Sequence, residues 1–177
     1  MVANLLHPLN IFIFGLGGGF LIPLLYRLGK TWLTTGFFVA LAGITAVSGL
    51  SFLGLLQGDE TIEIFTAGAQ PPVSISLRFG LPEGFFTFSV NLVALLGALH
   101  LWDRLRGNYV ALLLYLILVM GIDGMVMTRD LFNLFVFLEI VSVATYGLLG
   151  LDRTPAALSA AFKYIMATVV ASTFFLL

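Results

Sequence analysis

Hydrophobic residues along this chain come in long blocks separated by short polar connections. Six apolar blocks lie at about residues 9–28, 32–56, 85–102, 108–127, 131–150 and 155–177. A bilayer core is about 30 Å thick and an α-helix rises about 1.5 Å per residue, so each block reaches or approaches the length needed to cross it. The pattern predicts an all-α polytopic membrane protein with six transmembrane helices in one domain, residues 1–177.

The one long connection, residues 57–84, has a different period. Apolar and polar residues alternate at 61–66 and again at 73–79, and a Gly-Ala-Gln-Pro-Pro sequence separates the two runs. Alternation of this kind is typical of strands, and glycine with proline marks a turn. We predict a short β-hairpin over about residues 60–80. Because an isolated hairpin is marginally stable, we expect its apolar side to rest on helix ends or on a neighbouring subunit.

Basic residues favour one side of the predicted bundle. Five follow the first, third and fifth helices, whereas the opposite side carries only Arg78 and Arg129. The five are Arg27, Lys30, Arg104, Arg106 and Arg153. Since basic residues collect on the cytoplasmic side, the N-terminus and the hairpin are predicted to lie outside.

Composition narrows the possible functions. The chain is 60% hydrophobic and only 10% charged, which excludes a soluble globule. Its eight basic residues are scattered and its net charge is −1, which argues against a nucleic-acid binder. Cysteine is absent, and this excludes disulfides, thiol catalysis and iron–sulfur ligation. The two histidines, His7 and His100, fall on opposite sides of the membrane, so we predict no metal and no cofactor.

Glycines in the first helix do not form a nucleotide-binding motif. Gly15, Gly17, Gly18 and Gly19 are followed by Phe20, where GxGxxG needs a glycine. We interpret Gly15 and Gly19 as a GxxxG face for close helix packing.

The fifth predicted helix carries one acid, Glu139, about 13 Å into the membrane. An acid there costs about 2.5 to 3.5 kcal/mol, so a partner, a proton or a function is expected. Helical spacing places Ser142 and Tyr146 on the face of Glu139, where their hydroxyls could hold water. Asp123, near the outer end of the fourth helix, is shallow enough to meet water or Arg129. It is either an accessory proton-entry group or an interface pair.

The sixth predicted helix carries the second charge at this depth. Thr154 and Pro155 form an N-cap and first helical residue, which fixes the start of the helix. Lys163 then lies about 12 Å from the cytoplasmic side and within about 5 Å of Glu139 in depth. Opposite charges at one level with nearby hydroxyls predict a proton relay rather than a catalytic centre. The alternative for Lys163 is that it snorkels to the interface.

The sequence TRDLFNLFVFLE, residues 128–139, with Ala144-Thr145-Tyr146 and Lys163-Tyr164, resembles a known family. This is the antiporter-like family of Mrp cation/proton antiporters, membrane-bound hydrogenases and respiratory complex I, and the motif is most like that of the Mrp D subunit. The resemblance is specific from about residue 107 onward. It implies that Glu139 is the helix-five glutamate that tunes a buried lysine, and that Lys163 is the helix-six lysine.

Family members have further helices, with their principal lysine on helix seven. The chain stops after the sixth helix, and residues 172–177 are apolar with no polar cap. We therefore expect a split subunit or a fragment that carries half of a proton or sodium/proton pathway. The resemblance implies partners in the same complex, including a chain that supplies helix seven onward, and a location in the plasma membrane.

Two other functions stay open at this point. The chain could be a scaffold subunit whose buried charges pair statically. An intramembrane hydrolase or haem oxidoreductase is the third possibility, but the sequence offers no histidine pair at ligand spacing and no nucleophile beside a base.

Overall fold

A computed structural model of the chain describes residues 7–65 and 75–176, and most of these residues are helical. Six of the described helices are long and apolar enough to cross a membrane, and a two-stranded hairpin joins the second to the third. The helices are α1 (Leu9–Leu28), α2 (Lys30–Leu56), α3 (Leu81–His100), α4 (Tyr109–Met127), α5 (Leu131–Leu149) and α6 (Pro155–Leu176). The strands are β1 (Ile62–Phe65) and β2 (Ser76–Phe79), and a single helical turn, Trp102–Leu105, follows α3. The predicted fold class is confirmed.

Two helix boundaries differ from the prediction because of local capping. α3 begins at Leu81, four residues earlier than expected, since the Glu83 carboxylate accepts a hydrogen bond of 2.9 Å from the Gly80 backbone N–H. Pro82 also suits the first turn of a helix. α2 begins at Lys30, directly after Gly29, whose φ of 127° only glycine adopts easily and which separates it from α1.

The β-hairpin is antiparallel and packs against the helices. Ile62 pairs with Phe79 and Ile64 with Leu77, whereas the predicted Gly-Ala-Gln-Pro-Pro turn lies outside the described residues. Leu77 forms a bridge with Thr128, and the Ser76 carbonyl accepts a hydrogen bond of 3.0 Å from the Arg129 N–H. The hairpin therefore rests on the α4–α5 connection, as its apolar face requires.

Small residues allow α1 to pack closely into the bundle. A Cβ at Gly15 would lie 2.8 Å from the Met120 Cβ on α4, and one at Gly18 would lie 2.6 Å from the Ala40 Cβ on α2. Gly19 is also buried, but a Cβ there would make only an ordinary contact of 3.9 Å with Ile117. The tight approaches are thus at Gly15 and Gly18, on two sides of α1, rather than along one GxxxG face.

Burial falls from α4 towards the C-terminal helices. Within the most apolar window of each span, 50% of the residues are buried in α4, 17% in α5 and 11% in α6. α5 packs on α4, and α6 packs on α5. The start of α1 and the hairpin lie at one end of the bundle, and the location of that end outside the membrane stays a prediction.

Candidate functional site

Glu139 is an unsatisfied acid on α5. It lies eight residues after the first residue of the helix, about 12 Å along the axis from the hairpin end. Its side chain is half-buried, and its Oε1 is buried without a hydrogen-bond partner among the described residues. A buried carboxylate oxygen without a donor is costly, so this group calls for a proton or for a partner that the described residues do not supply.

Lys163 lies eight residues after the start of α6, about 12 Å from the opposite end of the bundle. In a core of about 30 Å, the two charges therefore differ in depth by about 6 Å. The side chain of Lys163 is exposed, however, and forms no ion pair or hydrogen bond with a described residue. Lys163 and Glu139 therefore form no contact in the structure. Two side chains at similar depth meet only when their helices are rotated towards each other.

The two hydroxyl residues near Glu139 are placed as the helical spacing predicts but do not bind it. Ser142 is buried and Tyr146 is half-buried. Neither forms a hydrogen bond with the Glu139 carboxyl. Both stay predictions as accessory groups.

Asp123 is sealed inside the bundle rather than near water. It lies four residues before the end of α4 and is fully buried, with the Asn91 side chain beside its carboxyl. The expected contact with Arg129 is absent, because that guanidinium forms an ion pair with Glu83 on α3. The hairpin and the α4–α5 connection together cover the end of the bundle. This cover explains why Asp123 is shielded from water although it lies near the end of α4.

Sequence reasoning missed the capping network that sets the position of α5. The Asp130 carboxylate accepts a hydrogen bond of 2.8 Å from the Asn133 N–H, and the Asn133 side chain donates one of 3.0 Å to the Thr128 hydroxyl. The signal was present in the TRDLFN motif, because an aspartate before an apolar helix is a typical N-cap. This network fixes the start of α5 and thereby the depth of Glu139.

Glu83 is a second residue that the sequence reasoning missed. It is buried at the start of α3, where its carboxylate accepts a hydrogen bond from the Gly80 N–H. The same carboxylate forms an ion pair with Arg129, which connects α3 to the α4–α5 connection. Its position three residues after the glycine that precedes the helix is the expected place for a capping glutamate.

Comparisons with known proteins connect this geometry to a family. The family model described as NADH:quinone oxidoreductase/Mrp antiporter, TM matches residues 128–177, the segment that carries Glu139 and Lys163. The chain is 31% identical to the D subunit of the Na(+)/H(+) antiporter of Alkalihalophilus pseudofirmus, over 98% of this chain and 35% of that protein. It is 32% identical to the N subunit of the NADH-quinone oxidoreductase of Desulforudis audaxviator, over 100% of this chain and 36% of that protein.

A solved structure has the same fold. A chain of the membrane-bound sulfane sulfur reductase, an archaeal respiratory membrane complex, superposes with a TM-score of 0.87. The two chains are 28% identical, and the match covers 97% of this chain and 36% of that one.

The chain is similar over nearly its whole length to the antiporter-like family of membrane subunits, and its residues 128–177 match the model of that family. This antiporter-like chain spans about a third of the length of the relatives it matches. Its six apolar helices together with the family confirm the predicted location as a multi-pass protein of the cell membrane.

Proposed function

We propose that the chain contributes half of a proton or sodium/proton translocation pathway to a multi-subunit membrane complex. In this proposal Glu139 carries the proton, and Lys163 is the cation whose approach or withdrawal changes the charge of Glu139. The observation that carries the proposal is the Glu139 carboxyl, which has a buried oxygen and no partner among the described residues at mid-membrane depth.

The chemistry of the site supports proton transfer. A carboxyl in a low-dielectric surrounding prefers to be neutral, and a positive charge brought near it favours the charged form. A lysine that moves relative to Glu139 would therefore load and release its proton. Lys163 and Glu139 form no ion pair in the structure, so this movement is possible. A permanent ion pair would instead keep Glu139 in its charged form.

The exposure of α5 and α6 supports partners on that side. Only 17% and 11% of their apolar windows are buried, and an unpartnered lysine on α6 is costly in lipid. We propose that further helices, equivalent to helix seven onward, cover this face. They would come from a continuation of the chain or from a separate chain of the same complex.

The names of the similar proteins support the class of transport. One relative is named for a Na(+)/H(+) antiporter, and exchange of sodium for protons is the sodium/proton form of the proposed pathway. Another is named for an NADH-quinone oxidoreductase, so related chains also occur in a redox enzyme.

The test is Glu139→Gln in the complete native complex. Glutamine keeps the shape and hydrogen-bonding capacity of glutamate but cannot take up and release a proton. Cation-driven proton movement in inverted membrane vesicles, followed with a pH-sensitive dye, is expected to fall by about 100-fold. The matched control is Asp152→Asn, an exposed acid in the α5–α6 connection, which is expected to transport normally.

Assembly must be measured in the same preparations, by quantifying the subunits that copurify with the chain. Lost transport with an intact complex supports the relay. Full transport in the Glu139→Gln complex contradicts it, and failure of the complex to assemble favours the scaffold alternative. That alternative requires statically paired charges, which neither Glu139 nor Lys163 shows among the described residues.

A further inference from the structure

A column of buried polar side chains runs along one face of α3. Glu83, Thr87 and Asn91 follow one another at intervals of four residues, and all three are buried. Four residues are about one helical turn, so these side chains are stacked about 6 Å apart. The column begins at the hairpin end of the membrane, and its inner end, Asn91, lies beside Asp123 of α4.

Several buried polar atoms in this column and beside it lack partners. Among the described residues, the buried atoms without a hydrogen bond include both carboxylate oxygens of Asp123, the Oδ1 of Asn91 and the hydroxyl of Thr87. The Asn91 amide uses one of its two N–H donors in a hydrogen bond of 3.2 Å to the Ser48 hydroxyl on α2. Native interiors rarely leave so many polar atoms unsatisfied in one place, so the column requires an explanation.

A proton on Asp123 provides that explanation. Both oxygens of a charged Asp123 would be buried acceptors without a donor, and a buried charge left in that state is costly. A neutral Asp123 can donate its O–H to the Asn91 Oδ1, and its other oxygen can accept from a hydroxyl such as that of Thr87. One added proton therefore removes the buried charge and gives one Asp123 oxygen a hydrogen to donate.

No charged neighbour offers another solution within the described residues. Glu83 and Arg129 pair with each other at the hairpin end, and Glu139 on α5 forms no bond with Asp123. The buried polar residues of α2, Thr45 and Ser48, bond to backbone carbonyls and to Asn91. On α1, the helix surface against α4 is formed by glycines and apolar residues.

We propose that Asp123, Asn91 and Thr87 form a second proton-binding site, separate from Glu139 and loaded from the hairpin side through Glu83. Glu83 is the entry group because its side chain is 5% exposed and its partner Arg129 is 45% exposed. When the ion pair opens, the Glu83 carboxylate accepts a proton from water. Because these side chains lie about one helical turn apart, bridging water molecules carry the proton from Glu83 to the Thr87 hydroxyl and on to Asp123, each group releasing one proton as it accepts another.

The first test is infrared difference spectroscopy on the complete complex carrying Glu139→Gln, so that Glu139 contributes no signal. We expect the C=O band of a protonated carboxyl that disappears on Asp123→Asn and shifts after incubation in D2O. A spectrum in which Asp123→Asn removes no such band overturns the proposal. A band that never shifts in D2O also overturns the proposal, because a proton that does not exchange with solvent is not taken up from it.

A second variant guards against an Asp123→Asn protein that does not assemble. Asn91→Ala keeps the acid but removes its hydrogen-bond acceptor, so the same band is expected to shift. An unmoved band in Asn91→Ala overturns the proposal. Neither measurement depends on transport, and failure of the Glu139 relay would therefore leave this test intact.

The loading route has its own test in the rate of deuterium exchange at the Asp123 band. Thr87→Val removes the relaying hydroxyl at nearly constant volume and is expected to slow exchange by about tenfold or more. The matched control is Thr145→Val on α5, whose hydroxyl is already bonded to the Val141 carbonyl at 2.7 Å. Equal exchange rates in the two variants overturn the route through Thr87.

Discussion

The bundle of α1 to α4 and the flank formed by α5 and α6 differ in how they treat charge. In the bundle, Glu83 pairs with Arg129, and Asp123 is sealed beside Asn91 although neither of its carboxylate oxygens has a hydrogen-bond partner among the described residues. On the flank, Glu139 has a buried oxygen without a partner, and Lys163 is exposed at similar depth. The bundle therefore buries its acids, whereas the flank leaves Glu139 half-buried and Lys163 exposed.

The helices of the bundle are also more buried than those of the flank. Half of the α4 window is buried, against about a tenth of that of α6. A lysine is unfavourable on a lipid-facing helix, because an unpaired charge in the bilayer costs free energy whereas an apolar side chain does not. The comparison teaches that α1 to α4 form the packed part of the molecule and that the flank is the side on which the proposed further helices would pack.

The largest expected effect comes from breaking the packing between bundle and flank. A side chain at Gly124 of α4 would overlap the ring of Phe137 on α5. Gly124→Leu is expected to lower stability by about 2 to 3 kcal/mol through overpacking. Thermal unfolding in detergent measures this, with Gly17→Leu as the control because the space around Gly17 is open. Equal unfolding midpoints for the two variants would show that the α4–α5 contact is not needed for stability.

A smaller effect is expected from the ion pair that closes the bundle. Glu83→Gln keeps an acceptor for the Gly80 N–H but removes the charge opposite Arg129, and we expect a loss of about 1 to 2 kcal/mol because Arg129 remains partly solvated. The control is Asp103→Asn, which breaks the pair with Arg106, where the side chains are 84% and 60% exposed. That surface pair is expected to contribute less than about 0.5 kcal/mol. Indistinguishable midpoints would contradict the distinction between a buried and a surface pair.

The smallest effect on stability is expected for Lys163. Because its side chain is exposed and unpaired, Lys163→Met should change the stability of the isolated chain by no more than about 0.5 kcal/mol. Lys30→Met, at the exposed start of α2, is the matched control. The same Lys163 variant in the complete complex is expected to impair transport. A loss of more than about 1 kcal/mol in the isolated chain would show instead that Lys163 is paired within it.

Much of the fold followed from local sequence signals. The first helix lies at the predicted residues, and the hairpin lies where apolar and polar residues alternate. The sixth begins at Pro155 with the Thr154 hydroxyl accepting from the Ala157 N–H, as the Thr-Pro pair predicts. α3 was predicted to start too late, because Glu83 looked like a polar connection residue although it caps the helix.

The candidate site was predictable only in part. Counting residues along a helix predicts the positions of Glu139 and Lys163 along their helices, and α5 and α6 begin at the predicted residues. The same counting does not reveal which way a helix is turned towards its neighbours. For that reason the sequence suggested a pair between Lys163 and Glu139 and a contact between Asp123 and Arg129, neither of which forms.

By itself, the sequence determined the membrane environment, the six spans, the hairpin and the positions of the intramembrane charges along each helix. These depend on hydrophobicity and on periods of two and 3.6 residues, which are local properties of the chain. Only the tertiary structure decided that Arg129 binds Glu83, that Asp123 is sealed beside Asn91 and that Lys163 faces outward. Those outcomes depend on how helices distant in sequence rotate and pack, since side-chain partners are chosen by contact in space and not by order along the chain.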